Sequence, residues 1–143
     1  MKPVCHHIGL FVNDIEKTTR FYVEELGFKL ERDYAADQKM MQDIFSINSS
    51  CQIRYLTLRG FSIELFFFHR ERLNPPRAKQ PGLNHWTILV EDKDAFCAGL
   101  AKKGIKVITI PKPHGFTYFI KDPELNLIEV KSHELKSIRK AGY

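Results

Sequence analysis

The chain repeats itself, and this duplication limits its possible folds more than any other feature. His7-Ile8-Gly9-Leu10-Phe11-Val12-Asn13-Asp14 can be laid on His85-Trp86-Thr87-Ile88-Leu89-Val90-Glu91-Asp92, and both read H-x-x-x-x-V-x-D. A helical stretch follows each copy and closes at a glycine before an apolar residue, at Gly27-Phe28 and at Gly104-Ile105. Further on, Ile63-Glu64-Leu65 matches Ile128-Glu129-Val130, each inside an apolar strand.

Local chemistry supports this outline. Asp14 and Asp92 are good N-cap residues, each ending a strand and opening a helix. In the first helix Ile15, Thr19, Tyr22, Val23 and Leu26 give one apolar face; in the second, Ala95, Phe96, Gly99, Leu100 and Lys103 do so less cleanly. Gly27 and Gly104 suit C-terminal caps, where a left-handed backbone costs glycine little. Strands are predicted over 28–34, 52–58, 61–68, 107–110, 116–120 and 127–131, with a hairpin turn over 121–124. Each half is thus βαβββ, which makes the fold class α+β. The first module spans about 4–70, a proline-rich linker 71–82, the second module about 83–132 and a tail 133–143, all within a single domain 1–143. An extra helical segment over 37–48, carrying Met40, Met41, Ile44 and Phe45, interrupts the symmetry. It either covers a sheet edge or lines a pocket.

The net charge of +5, from 22 basic and 17 acidic residues, raises a nucleic-acid reading. The basic residues are scattered among acids, with small clusters only at 70–79 and 136–140, and no zinc-finger, helix-turn-helix or aromatic-basic motif accompanies them. A solvated basic surface is the better reading, with some steering of an anionic substrate, and no nucleic-acid partner is expected. No apolar run reaches membrane-spanning length, so no membrane partner is expected either. Cys5, Cys51 and Cys97 are odd in number and far apart, as in a reducing compartment. With no apolar signal segment at the start, a cytoplasmic location is expected.

Glu64 and Glu129 are the anomaly. Each lies mid-strand between large apolar neighbours, where an uncompensated carboxylate is costly to bury. Either one alone reads as a water-facing side chain of a one-sided sheet, and a lone strand histidine reads as a hydrogen-bonded core or surface residue. The joint pattern reads differently, because equivalent positions of two repeats both give His on the first strand and Glu on the last. Packing provides no reason for that pairing. Related by a pseudo-twofold axis, His7, Glu64, His85 and Glu129 are expected to converge on one divalent metal ion. This N/O donor set suits Mn, Fe, Co, Ni or Zn rather than thiolate-seeking metals. His6 is expected to project to the opposite face from His7, and Cys5 to pack in the core. His69, His114 and His133 have no repeat-related partner.

These residues resemble the vicinal oxygen chelate superfamily of paired βαβββ modules (glyoxalase, bleomycin resistance protein and extradiol dioxygenase). The motifs that carry the resemblance are His7-Ile8-Gly9-Leu10, Phe21-Tyr22-x-x-x-Leu26-Gly27-Phe28, and Asp122-Pro123-Glu124-x-Asn126-x-Ile128-Glu129, and the match runs over roughly residues 4 to 132. The resemblance implies eight strands in an open, barrel-like sheet around one metal, a small-molecule substrate and a homodimer. The order His, Glu, His, Glu is most similar to bacterial glyoxalase I, whereas dioxygenases and fosfomycin-modifying members typically use two His and one Glu. Methylmalonyl-CoA epimerases typically place Gln at the position of Glu64.

By resemblance the activity is that of a metal-dependent lyase or isomerase acting through a metal-stabilised enediolate on a small carbonyl compound or thiol adduct. Glu129 would be the catalytic proton shuttle. An epimerase-like or fosfomycin-type enzyme and a non-catalytic ligand-sequestering protein are the alternatives. Phe66-Phe67-Phe68-His69 departs from the glyoxalase segment that helps hold glutathione, and implies a pocket walled by aromatic rings. Arg54, Arg20 and Lys131 are further cations that either bind an anion or are simply solvated.

Overall fold

The computed structural model describes residues 3–75 and 81–133. Along the chain come β1 (His7–Val12), α1 (Ile15–Arg20), β2 (Lys29–Ala36), α2 (Gln38–Phe45), β3 (Cys51–Leu58), β4 (Phe61–Phe68), β5 (Trp86–Val90), α3 (Lys93–Lys102), β6 (Val107–Lys112), β7 (Gly115–Lys121) and β8 (Leu127–Ser132). The chain divides into two packing units, residues 1–75 and 76–143, each holding one repeat. Residues 76–80 of the linker and the basic tail from 134 onward lie outside the described residues.

The two units have the same topology, which bears out the α+β reading of paired βαβββ modules. Strand order is β1-β4-β3-β2 in one and β5-β8-β7-β6 in the other. In each, the first strand of the repeat lies parallel to the last, and the remaining pairs are antiparallel. The eight strands form two open four-stranded sheets, each ladder ending on its own edge strands, and they do not close into a barrel.

Alternation assigns the two faces of the first sheet. Ile63 and Leu65 of β4 are fully buried, as are Tyr22 and Leu56, and α1 packs against β4. Each such side chain contributes about 1.5–3 kcal/mol by burial. Asp14 caps α1 as expected, accepting from the Lys17 amide at 2.9 Å. The helix then continues into one π-helical turn, Phe21–Glu25. That wider turn shifts the buried stripe. Thr18 and Phe21 are buried along with Ile15, Thr19, Tyr22 and Leu26, while Val23, expected on the apolar face, is exposed. Gly27 follows with a left-handed φ of 77°.

In the second unit Asp92 caps α3 through the Asp94 and Ala95 amides, at 2.9 and 3.0 Å. The inward residues of this helix are Phe96, Cys97 and Leu100, whereas Ala95, Gly99 and Lys103 are exposed. Before β8, Asp122 is 2% exposed and organises the turn. Its Oδ1 accepts from the Glu124 and Asn126 amides at 2.9 and 2.8 Å, and its Oδ2 from the Asn126 side-chain amide at 2.8 Å.

The inserted α2 begins at Asp37, whose carboxylate accepts from the Met40 amide at 2.8 Å. Its Met41 is buried with Ala36, Cys51, Ile53, Phe66 and Phe68, with Phe45 packed against them. These strand residues share the face of Glu64, so the insertion covers one end of that face instead of a sheet edge. Met40 and Ile44 stay exposed.

Candidate metal centre

In the first unit, Gly9 of β1 lies directly opposite Glu64 of β4. Residues two apart on a strand share a face, so His7 and Glu64 are diagonal neighbours on one side of the sheet. His7 Nε2 stands 3.2 Å from Glu64 Oε2. The other carboxylate oxygen, Oε1, accepts the Tyr34 hydroxyl at 2.9 Å. Desolvation by its surroundings, reinforced by this bond to Glu64, holds the Tyr34 phenol above its ordinary pKa. Tyr55 of β3 lies on the far side of Glu64 and presents its ring edge-on to His7, centroids 6.2 Å apart. A glycine at position 9 leaves room for the Phe66 ring, 3.2 Å from where a Cβ would stand.

The second unit repeats the arrangement. Thr87 of β5, two residues after His85, lies opposite Glu129 of β8. His85 Nε2 is 3.7 Å from Glu129 Oε2. That oxygen also accepts the Thr87 hydroxyl at 3.2 Å and has the Lys131 ammonium at 3.2 Å. Phe119 of β7 faces Glu129 and sets its ring edge-on to His85 at 5.5 Å. The same row, His with Glu and an aromatic ring beyond, is therefore built twice.

In both histidines Nδ1 is engaged by the preceding residue. Asn84 Oδ1 lies 2.5 Å from His85 Nδ1. A carbonyl oxygen only accepts, so a ring carrying its proton on Nδ1 makes this bond and keeps Nε2 available as a metal donor. His6 Nδ1 lies 2.8 Å from His7 Nδ1. His6 thus turns toward His7 and not to the opposite face, because it precedes β1, where strand alternation is not enforced.

The donor set fits a divalent ion. Nitrogen and oxygen ligands each about 2.0–2.2 Å from a metal, at roughly right angles, stand about 3 Å apart. The His7–Glu64 pair matches this separation and the His85–Glu129 pair is wider. The structure brings the four candidate ligands together as two pairs. Among the described residues, no group of three or more His, Cys, Asp or Glu side chains gathers at metal-binding spacing.

Sequence reasoning missed Tyr34, Tyr55, Asn84, Thr87 and Phe119. Tyr55 and Phe119 are equivalent in space but do not align by counting. The turn between β3 and β4 is Arg59-Gly60, whereas residues 122–126 join β7 to β8. Of the cations considered, Arg54 lies on the helix-covered face, away from Glu64. Its guanidinium donates to Asp33 Oδ2 at 2.8 Å and Thr19 Oγ1 at 3.1 Å, and to Glu16. Lys131 alone of these touches a candidate ligand. Cys5 is exposed and does not pack in the core.

Two βαβββ modules, each with a His–Glu pair on the same register, define a paired-module fold with matched His–Glu pairs in its two halves. The chain belongs to the Glyoxalase/Bleomycin resistance protein/Dioxygenase superfamily, whose family model matches residues 5–130. It is 29% identical to the protein YwkD of Bacillus subtilis over 127 residues, covering 85% of this chain and 91% of that protein. It is 28% identical to YaeR of Escherichia coli over 123 residues, covering 83% and 88%.

Among solved structures, the fold is similar to that of the trypanothione-dependent glyoxalase I of Leishmania major. The TM-score is 0.71 at 22% identity, covering 98% of this chain and 93% of that one. It is also similar to FosX, a fosfomycin resistance protein of Listeria monocytogenes solved with Mn(II) and sulfate. Here the TM-score is 0.65 at 18% identity, covering 97% and 99%. Among the described residues, no helix is long and apolar enough to cross a membrane.

Proposed function

We propose that this chain is a glyoxalase-type lyase or isomerase that acts on a small carbonyl compound or thiol adduct. In this reading His7, Glu64, His85 and Glu129 jointly hold one Ni, Zn, Co, Mn or Fe ion. The observation that carries it is the matched register, with Gly9 opposite Glu64 and Thr87 opposite Glu129. Two separate sheets place an imidazole beside a carboxylate in the same way.

The bound ion would supply Lewis-acid stabilisation of negative charge on the substrate oxygens. His7 and His85 offer Nε2 as neutral donors. Tyr34 holds Glu64 in place from the second carboxylate oxygen. Glu129, oriented by Thr87 and Lys131, takes the proton from the carbon beside the carbonyl and returns it to the neighbouring carbon. Phe66, with Phe45 at 5.5 Å, walls one end of the Glu64 face and excludes water there. The three cysteines are free thiols, which agrees with a cytoplasmic protein, and we take the working form to be a homodimer.

The test is turnover by the Ni- or Mn-loaded protein of hemithioacetals formed from methylglyoxal and several thiols. Methylmalonyl thioesters and fosfomycin serve as rival substrates. Hemithioacetal turnover that disappears in Glu129→Gln supports the proposal. Turnover of a rival substrate alone reassigns the reaction, and tight ligand binding without any turnover replaces the enzyme with a sequestering protein.

A further inference from the structure

The row across the first sheet does not end at Tyr55. Arg32 of β2 lies opposite Tyr55, and its guanidinium carbon stands 4.5 Å from the Tyr55 ring centroid and 5.9 Å from that of Tyr34. Arg32 therefore shares the face of His7 and Glu64, two strands from Glu64. At the usual strand spacing this is roughly 10 Å between backbones.

Two features set Arg32 apart from an ordinary solvated charge. Neighbouring cations are neutralised, Lys29 by Glu31 at 3.1 Å and Arg54 by Asp33 at 2.8 Å and by Glu16. Among the described residues, Arg32 has no carboxylate partner. The repeat also breaks its own symmetry here, because the position equivalent to Arg32 is Ile108, opposite Phe119, and that equivalent to Tyr34 is Ile110. The His–Glu pair is duplicated, but the cation is not.

Resting on the metal-site reading above, we propose that Arg32, lying over the Tyr55 ring with Tyr34 beside it, is an anion subsite. It takes a carboxylate, phosphate or phosphonate group of the substrate while vicinal oxygens of the same molecule lie at the His–Glu pairs. The cation–π contact with Tyr55 holds the planar fork at low entropic cost, leaving its N–H donors for a bidentate oxyanion. The substrate class narrows accordingly to small anionic carbonyl or hydroxy compounds.

A matched pair of chelators tests this. Glycolohydroxamate and phosphoglycolohydroxamate offer the same vicinal oxygens, and only the second carries an anionic arm. Calorimetric titration into the Mn-loaded full chain should show the phosphate-bearing probe binding at least about tenfold more tightly. In Arg32→Met that preference should vanish, while glycolohydroxamate binds wild type and variant alike.

A preference that survives Arg32→Met, or equal loss of both probes, overturns the proposal while leaving the metal reading intact. A chain that takes up no metal overturns the metal reading instead. The subsite is then decided by titrating inorganic phosphate into the metal-free protein and following the Arg32 Nε–H resonance. A saturable shift lost in Arg32→Met supports the subsite, and no shift rejects it.

Discussion

Tyr34 donates its hydroxyl to Glu64 at 2.9 Å from a strand two places away in the same sheet. The bond engages one carboxylate oxygen and leaves the other turned to His7. Tyr34→Phe removes the donor and keeps the ring. The expected result is a loss of roughly tenfold in Mn affinity by calorimetry, the scale of a lost outer hydrogen bond at a metal site. The melting temperature of the metal-free protein should be nearly unchanged, because the bond is solvent-exposed. Unchanged affinity would show that Glu64 needs no support.

Asn84 has a comparable role at the other histidine. Its side-chain oxygen lies 2.5 Å from His85 Nδ1, placed to accept from a ring that carries its proton there. Asn84→Ala frees the tautomer and should weaken metal binding by about tenfold, with Asn84→Asp restoring most of it because a carboxylate still accepts. Equal losses in the two variants would argue against tautomer control.

Acid stability should depend on the charges around Arg54. A hydrogen bond from Arg54 holds Glu16 below its usual carboxylate value of 4.5. Burial pushes Asp33 up, but hydrogen bonds from Gln52 and Arg54 outweigh it and leave the group below 3.8. Groups depressed in the fold stabilise it fully above the unfolded values and lose that contribution as pH falls through the folded ones. Melting temperature should therefore drop as pH falls below about 4.5, the Glu16 value. Asp33→Asn should lower the melting temperature at neutral pH and flatten its acid limb. Parallel curves for variant and wild type would contradict this.

Thiol chemistry checks the core. Cys51 and Cys97 are buried, and desolvation pushes both thiols up to about 11. Cys5 is exposed. At pH 8 a disulfide reagent should modify Cys5 quickly in the native protein and reach the other two only after denaturation. Rapid reaction of Cys97 would mean that α3 is not packed as described.

The duplicated His–Glu pairs were legible because strand–helix–strand repeats preserve spacing at their ends, and because a glutamate between branched apolar residues is costly without a purpose. The caps at Asp14 and Asp92 were legible for an equally local reason. The surroundings of those pairs were not. The ladder between β2 and β3 shifts register between Leu30 and Arg32, and a one-residue slip moves every later side chain to the other face. Nothing in the exposed run of β2 tells which way Arg32 and Tyr34 point. His6 and Asn84 sit just before their strands, where alternation gives no guidance. Val23 was misplaced because a π-turn leaves no clear mark on apolar spacing.

Whether the two His–Glu pairs serve a single ion is decided most directly by metal stoichiometry. The purified protein, stripped and then titrated with Mn(II), should bind one ion per chain. His7→Ala and Glu129→Ala, altered in different repeats, should each abolish that binding. Two ions per chain, with His7→Ala removing one and leaving the other, would contradict the shared centre, as would a chain that binds none.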